Sequence, residues 1–283
     1  TRPCLPMKRL LQIEYIKLWN SRTSRFLILA YFVLLTSIAL IAAIKFDIGP
    51  IQFHLAEQGI FNFPYIWHFN TYVAAIFKLF LAIVIVSMMS NEYSNKTIKQ
   101  NLIDGLSKKE FIASKFLTVL VFAGISTVFV FVVSLILGGI YSDYTELSIV
   151  FSDLEFLLAF FVKLVGFFSF CLFLGILVKR SAFALGFLII WAILEQVLFG
   201  LLGWKFVSWD TAKTIKKFLP LESMANLIKE PVTRLNAVQS VADQIGETLE
   251  LNYQVHWYEF LLVLAWTALF VYWSYALLRK RDL

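Results

Sequence analysis

Charge is scarce in this 283-residue chain: Asp, Glu, Lys and Arg make up 16% of it, against roughly a quarter in ordinary soluble domains. That scarcity excludes a water-facing surface over most of the protein. Cysteine is scarcer still, with only Cys4 and Cys171, so neither a disulfide framework nor a thiolate zinc site has enough ligands. Histidine is limited to His54, His68 and His256, none in an HExxH arrangement, which leaves zinc-type hydrolysis without a ligand set. These three read more simply as interfacial residues. No apolar run offers paired glutamates for acid–base work, so an integral membrane enzyme has no chemistry to point to. The phosphate-cradling string GxxxxGK[ST] is missing, and no internal repeat argues for the inverted halves of a secondary transporter.

What the chain has in quantity is grease: 60% hydrophobic and 17% aromatic residues, gathered in uninterrupted runs. A helical run of about 20 residues matches the roughly 30 Å hydrocarbon slab. Backbone polar groups in lipid must pair internally, so the runs are expected to be helices. The reading is an all-α integral membrane protein with six spans, at about 26–44, 69–90, 116–140, 156–178, 182–202 and 258–278. Residues 7–22, MKRLLQIEYIKLWNSR, mix charge and bulk in a way that suits a helix lying in the interface. Residues 1–6 are unlike the rest and read as an added or upstream extension. No cleavable signal peptide is expected, because no small-residue cleavage site follows the first long run. Trp67, Trp204, Trp209 and Trp257 fall near span ends, as interfacial aromatics do. The small residues Ala182 and Gly186 permit close helix packing.

The formal charge is +6, yet the cations flank the apolar runs rather than forming the basic face that nucleic acid needs. Segments 7–25, 91–115, 179–181 and 279–283 hold five, five, two and three Lys or Arg, whereas the other side holds seven, six of them in the long segment 203–257. Long segments weigh little in the positive-inside rule, so both termini are expected in the cytoplasm. Segment 203–257 is then the only room for a small extracytoplasmic element. Within it, short helices are expected at Glu222–Lys229 and over 236–248.

The most informative stretch links the second and third runs: NEYSNKTIKQNLIDGLSKKEFIASKF, from Asn91 to Phe116. Ser94 or Asn95 can cap a short helix at about 95–105, Ile98 and Leu102 share one face, and Gly105 can end it. Ser107 and Glu110 form a capping-box pattern that launches the next helix. A stiff helix hung between two spans can transmit force, although a well-capped solvated loop would look the same.

This run resembles the loop between the second and third spans of ATP-binding cassette (ABC) transporter permeases of the type-2 exporter class. The amphipathic start at 7–22, Glu92-Tyr93 leaving the second span, Phe218-Leu219-Pro220-Leu221-Glu222-Ser223 and the ending Leu278-Arg279-Lys280-Arg281-Asp282-Leu283 are similar to permeases of that kind, over essentially all of 7–283. The resemblance implies a single six-helix permease domain in a bacterial cytoplasmic membrane, paired with a second permease copy or a homologous permease. It also implies that ATP and Mg are held by a separate ABC ATPase subunit, with no cofactor in this chain. ATPase coupling would fall to Glu92, Tyr93, Thr97, Ile98, Asn101 and Leu102. The cargo would be exported and be of a type such permeases serve: lipid, drug, peptide or glycan.

Three charges, Lys78, Lys163 and Glu195, fall inside expected spans, where an unpaired charge costs at least about 2.5–3.5 kcal/mol. Either lysine can meet Glu195. The preferred pair is Lys78 with Glu195, with Gln196 beside it, because the resembling family brings spans two and five together beside the pathway. The plainer alternative has Lys163 reaching outward and the other two stapling helices; another is an ion-coupled carrier or channel using Lys78 and Glu195 as a relay. Asn70, Thr71 and Tyr72 are candidates for substrate contact, or simply face headgroups.

Overall fold

The helix Glu155–Val178 has no polar face, and in the computed structural model it accordingly lies at the centre, with 18 of its 24 residues buried. The structure describes residues 7–43, 46–48, 51–53, 59–144, 146–234 and 253–281. Residues 1–6, Lys45, His54, the expected helix over 236–248, and the ending Asp282-Leu283 lie outside them. The helices in chain order are α1 (Met7–Asn20), α2 (Arg22–Ala43), α3 (Tyr65–Ile76), α4 (Lys78–Ser94), α5 (Thr97–Ile103), α6 (Lys108–Tyr141), α7 (Leu147–Val150), the central α8 (Glu155–Val178), α9 (Ser181–Leu201), α10 (Trp209–Lys216), α11 (Pro220–Asn226) and α12 (Trp257–Lys280). The described fold is all-helical apart from a small antiparallel hairpin, β1 (Phe46–Ile48) with β2 (Ile51–Phe53).

Four stretches among the described residues are long and apolar enough to cross a membrane: α6, α7 with α8, α9 with the π-turn Leu202–Phe206, and α12. A fifth is the bent pair α3 and α4. The first expected span, 26–44, falls on α2, which is not among these stretches, so four or five of the six expected spans are seen among the described residues. At 34 residues α6 is about 51 Å long, well beyond the hydrocarbon slab, yet its first turns are covered, with Phe111, Ile112 and Lys115 buried. These turns lie at the end where α1, α5 and Arg281 gather, called here the near end. The hairpin and α11 mark the far end.

The second run is not one straight helix, as the apolar pattern over 69–90 suggests. It bends by 44° at Phe77, whose N–H bonds the Ala74 carbonyl at 3.2 Å in a tightened turn. Lys78 is the first residue past the bend. The expected role of Trp67 is also corrected: it is fully buried, stacked on Phe131, and its indole N–H donates to the Val150 carbonyl at 2.9 Å. Trp204, Trp209 and Trp257 are exposed, as interfacial residues would be.

Close approach to α8 depends on two glycines that the sequence did not single out. A Cβ on Gly166 would lie 2.8 Å from Val263 Cγ1 and 3.2 Å from Met224 Cε, and one on Gly175 would lie 3.0 Å from Met89 Cβ. Gly186, expected to serve this purpose, faces open space. Gly166→Leu should therefore overpack the core and lower stability by about 1–3 kcal/mol, while Gly124→Ala, with nothing within 4 Å, should leave the thermal midpoint unchanged or slightly raised. Thermal unfolding of the purified variants checks this.

Segment 203–257 differs most from expectation. Rather than standing outside the bundle, its α11 packs among α8, α9 and α12, burying Ser223, Met224, Leu227 and Ile228. The helix begins at Pro220, whose fixed φ and missing N–H suit a first turn, and ends at Asn226 instead of Lys229.

Candidate functional site

The near end is held by a compact cluster of charges. Lys115, fully buried on α6, places its ammonium 2.6 Å from the Glu14 carboxylate of α1 and 2.7 Å from that of Glu92 on α4. Lys17 approaches the same Glu92 oxygen at 2.9 Å. Two cations thus face two anions. The Thr97 hydroxyl donates to the other Glu92 oxygen, tying in α5. One carboxylate therefore joins α1, α4, α5 and α6.

Glu92 and Thr97 were in the sequence-based site, but Glu14 and Lys115 were not. Both had a signal. Glu14 is the one acid in the basic stretch 7–25, and Lys115 continues the i, i+4 row Phe111, Lys115, Val119, Ala123 that forms the buried face of α6. A charge on an otherwise apolar face calls for a partner.

Tyr93 is used beside this cluster. Its hydroxyl accepts from the Arg281 guanidinium at 3.1 Å, and the same guanidinium donates to the carbonyls of Ile176 and Leu177 in the last turn of α8. A cation there complements the negative end of the helix. The chain's last described residue thus latches α8 to the exit of α4.

The α5 helix itself runs Thr97–Ile103, shorter than the expected 95–105. Neither Ser94 nor Asn95 caps it; Asn95 ends α4, and Lys96 enters α5 in a left-handed conformation, φ 54°. Gly105, at φ 104°, ends the turn as its lack of a Cβ allows, with Leu106 N–H bonded to the Asn101 carbonyl at 3.0 Å. The Ser107–Glu110 capping box forms in both directions, at 2.9 and 3.1 Å.

Ile98 is 2% exposed and Leu102 half-buried, both packed against the protein's own core. The shared face that periodicity revealed is the anchoring face. The open face carries Lys99, Gln100 and Ile103, the last 73% exposed. Asn101 is intermediate, with its carbonyl committed to the helix end.

The second feature is a cavity of about 890 Å³ walled by α3, α4, α8, α9 and α11, with Lys78, Lys163 and Gln196 on its lining. The expected pair of Lys78 and Glu195 does not form. Glu195, buried on α9, accepts from the backbone N–H groups of Leu221 and Glu222 at 3.0 and 3.1 Å, and from Trp191 Nε1 at 2.9 Å. Lys163 does not reach outward; it donates to the carbonyls of Ala225 at 3.3 Å and Ile228 at 3.5 Å. The two charges hold opposite ends of α11, anion at its N-terminus and cation at its C-terminus, as the helix dipole favours. Backbone groups carry no sequence signature, which is why pairing from depth alone chose wrongly.

Of the outer polar trio only Tyr72 lines the cavity. Asn70 bonds Ser134 at 2.8 Å, and Thr71 is buried against the carbonyl of Trp67 at 2.6 Å. His68 stacks on Phe156, 4.2 Å between centroids, and bonds the Lys229 carbonyl at 2.9 Å, while the backbone N–H of His256 meets the Glu259 carboxylate at 3.1 Å at the start of α12. Both are engaged in packing rather than grouped around a reaction centre. A family model described as ABC-2 family transporter protein matches residues 17–283. In the search of curated proteins, none matched the chain.

Proposed function

Since the chain belongs to the ABC-2 transporter family, and so is a multi-pass membrane subunit of an ABC transporter, we propose that α5 is its coupling helix, docked from the cytoplasm by a separate ATPase subunit. Both termini then lie in the cytoplasm, in keeping with the fifteen Lys and Arg that flank that side. ATP binding and hydrolysis occur on the partner, and the chain converts the partner's closure into movement of its spans to export a cargo.

The observation that carries this reading is the two-sided construction of α5. One side is locked to the spans through Ile98 and through the Thr97–Glu92 bond, and Glu92 is itself locked to α1 and α6. The other side is open, with an exposed isoleucine between polar residues. A push on that open face moves four helices together, because the charges that join them leave no slack.

A second copy, or a homologous permease, completes the pathway in this proposal. The α9 span is the least covered of the candidate spans, and it borders the cavity together with Ile76 and Leu79, also exposed. Dimerisation along this face would turn two open cavities toward one another. The relay alternative loses its basis, because no ion pair joins Lys78 and Glu195 among the described residues.

Two isoleucines separate coupling from folding. Ile103→Asp is expected to lower cargo-dependent ATP hydrolysis by the assembled transporter at least about tenfold, the loss of a central apolar contact, with an unchanged thermal midpoint. Ile98→Asp buries a lone carboxylate and should cost about 3 kcal/mol or more of stability. Unchanged coupling in the Ile103 variant would defeat the proposal. So would labelling of Ile103→Cys by an impermeant maleimide in intact cells, measured in a background lacking Cys4 and Cys171.

A further inference from the structure

Lys78 is left over when the charges inside the bundle are matched with partners. Glu195 and Lys163 are spent on α11, whereas no carboxylate of the described residues lies within ion-pair reach of the Lys78 ammonium. Its ammonium lies over the Phe167 ring, 4.5 Å to the centroid. An aromatic face offsets only part of what it costs to hold a cation in apolar surroundings. The site has a standing demand for an anion.

The surroundings describe what else that anion carries. Lys78 lies at the bend between α3 and α4, on the wall of the 890 Å³ cavity, a volume within the range of small-molecule sites. The opposite wall is the apolar face of α9, with Leu188, Ile193 and Val197. Gln196 alone adds an amide there. Ile76, Leu79 and Ile193 are exposed at the rim, so the opening is apolar and faces sideways rather than toward either end of the bundle. A small inorganic anion would find the Lys78 ammonium, with Lys163 turned to the carbonyls of α11, and otherwise a greasy wall. An amphiphile matches both.

We propose that this cavity is a binding site for an anionic amphiphile, its carboxylate or phosphate group on Lys78 and its acyl chain along α9. As the cargo site of an exporter this rests on the permease reading above. As a binding site it stands on the cavity and its unmatched charge. Entry is lateral, from the hydrocarbon, and the bend at Phe77 places the amine beside the opening.

The test uses the full chain in nanodiscs of zwitterionic phosphatidylcholine, without nucleotide or ATPase, and the fluorescent amphiphile dansyl-undecanoic acid. Saturable binding is expected, about tenfold or more weaker for the methyl ester, because a charge-assisted contact is lost. Lys78→Met should lose the preference for acid over ester and Lys78→Arg should keep it. Ile193→Trp should block binding by filling the cavity while leaving the amine in place, which covers the case in which Lys78→Met fails to fold. Lysophosphatidic acid should compete, lysophosphatidylcholine poorly, and inorganic phosphate not at all; the first of these, compared with unlabelled fatty acid, tells phosphate from carboxylate cargo. Equal binding of acid and ester, wild-type binding by Lys78→Met, or displacement by inorganic phosphate alone would each overturn the inference. Its failure alongside the expected loss of coupling in Ile103→Asp would leave the permease reading standing, and unchanged coupling in Ile103→Asp with amphiphile binding retained would strike that reading alone.

Discussion

Lys115→Met is expected to cost about 3–5 kcal/mol of stability, because it leaves Glu14 and Glu92 buried with one half-exposed cation between them. Breaking a buried pair from one side is costly mainly for the charge that remains. The double variant Glu14→Leu/Lys115→Met should therefore recover much of the loss, since it leaves the neutral couple Lys17–Glu92 at 2.9 Å. Thermal unfolding of the two variants, followed by tryptophan fluorescence, separates the outcomes. A single variant as stable as the wild type, or a double variant no better than the single, would show that the cluster is not what docks α1.

The same cluster bears on transport. In the double variant Glu92 keeps Thr97 and Lys17 but loses its brace to α6, so α5 would be held through α1 and α4 only. Coupling in the double variant should then lie below wild type even where stability returns, which distinguishes a brace for the lever from a staple for the fold.

Glu195→Ala is expected to free α11 from the bundle. Three donors, the N–H groups of Leu221 and Glu222 and the Trp191 indole, lose their acceptor, at about 1–3 kcal/mol for each that stays buried without another. Met224, 1% exposed, reports the event: in a cysteine-free background Met224→Cys should react with a maleimide at least about tenfold faster when Glu195 is alanine, the rate following the fraction of open molecules. Glu195→Gln keeps an acceptor oxygen and should fall between. If Met224→Cys stayed protected in the alanine variant, Glu195 would not be what holds α11, and the pairing with Lys163 at its other end would have to suffice.

Much of the near end is legible in the sequence. The Ser107–Glu110 box and the glycine at 105 are local signals, and local hydrogen bonds realise them. The direction of α5 is not legible. Spacing shows that Ile98 and Leu102 share a face, but whether that face meets a partner or the chain's own core depends on how α5 is turned about its axis. Trp67 misled for a similar reason: proximity to a span end places a residue in depth, while its burial follows from Phe131 and Val150, about 64 and 83 positions away.

The order and length of the apolar runs by themselves determined that this is a helical membrane protein, because lipid leaves the backbone no other way to pair and dictates how long each run must be. The flanking cations set the expected orientation by the same one-dimensional logic. Only the tertiary structure decided which charges meet: that Glu92 gathers Lys17 and Lys115, that Glu195 and Lys163 share α11 instead of each other or Lys78, and that Lys78 faces a cavity with no carboxylate of the described residues to pair it. Depth in the membrane can be counted along a sequence. Azimuth around a helix, and the company a side chain keeps there, are set by packing among elements far apart in the chain.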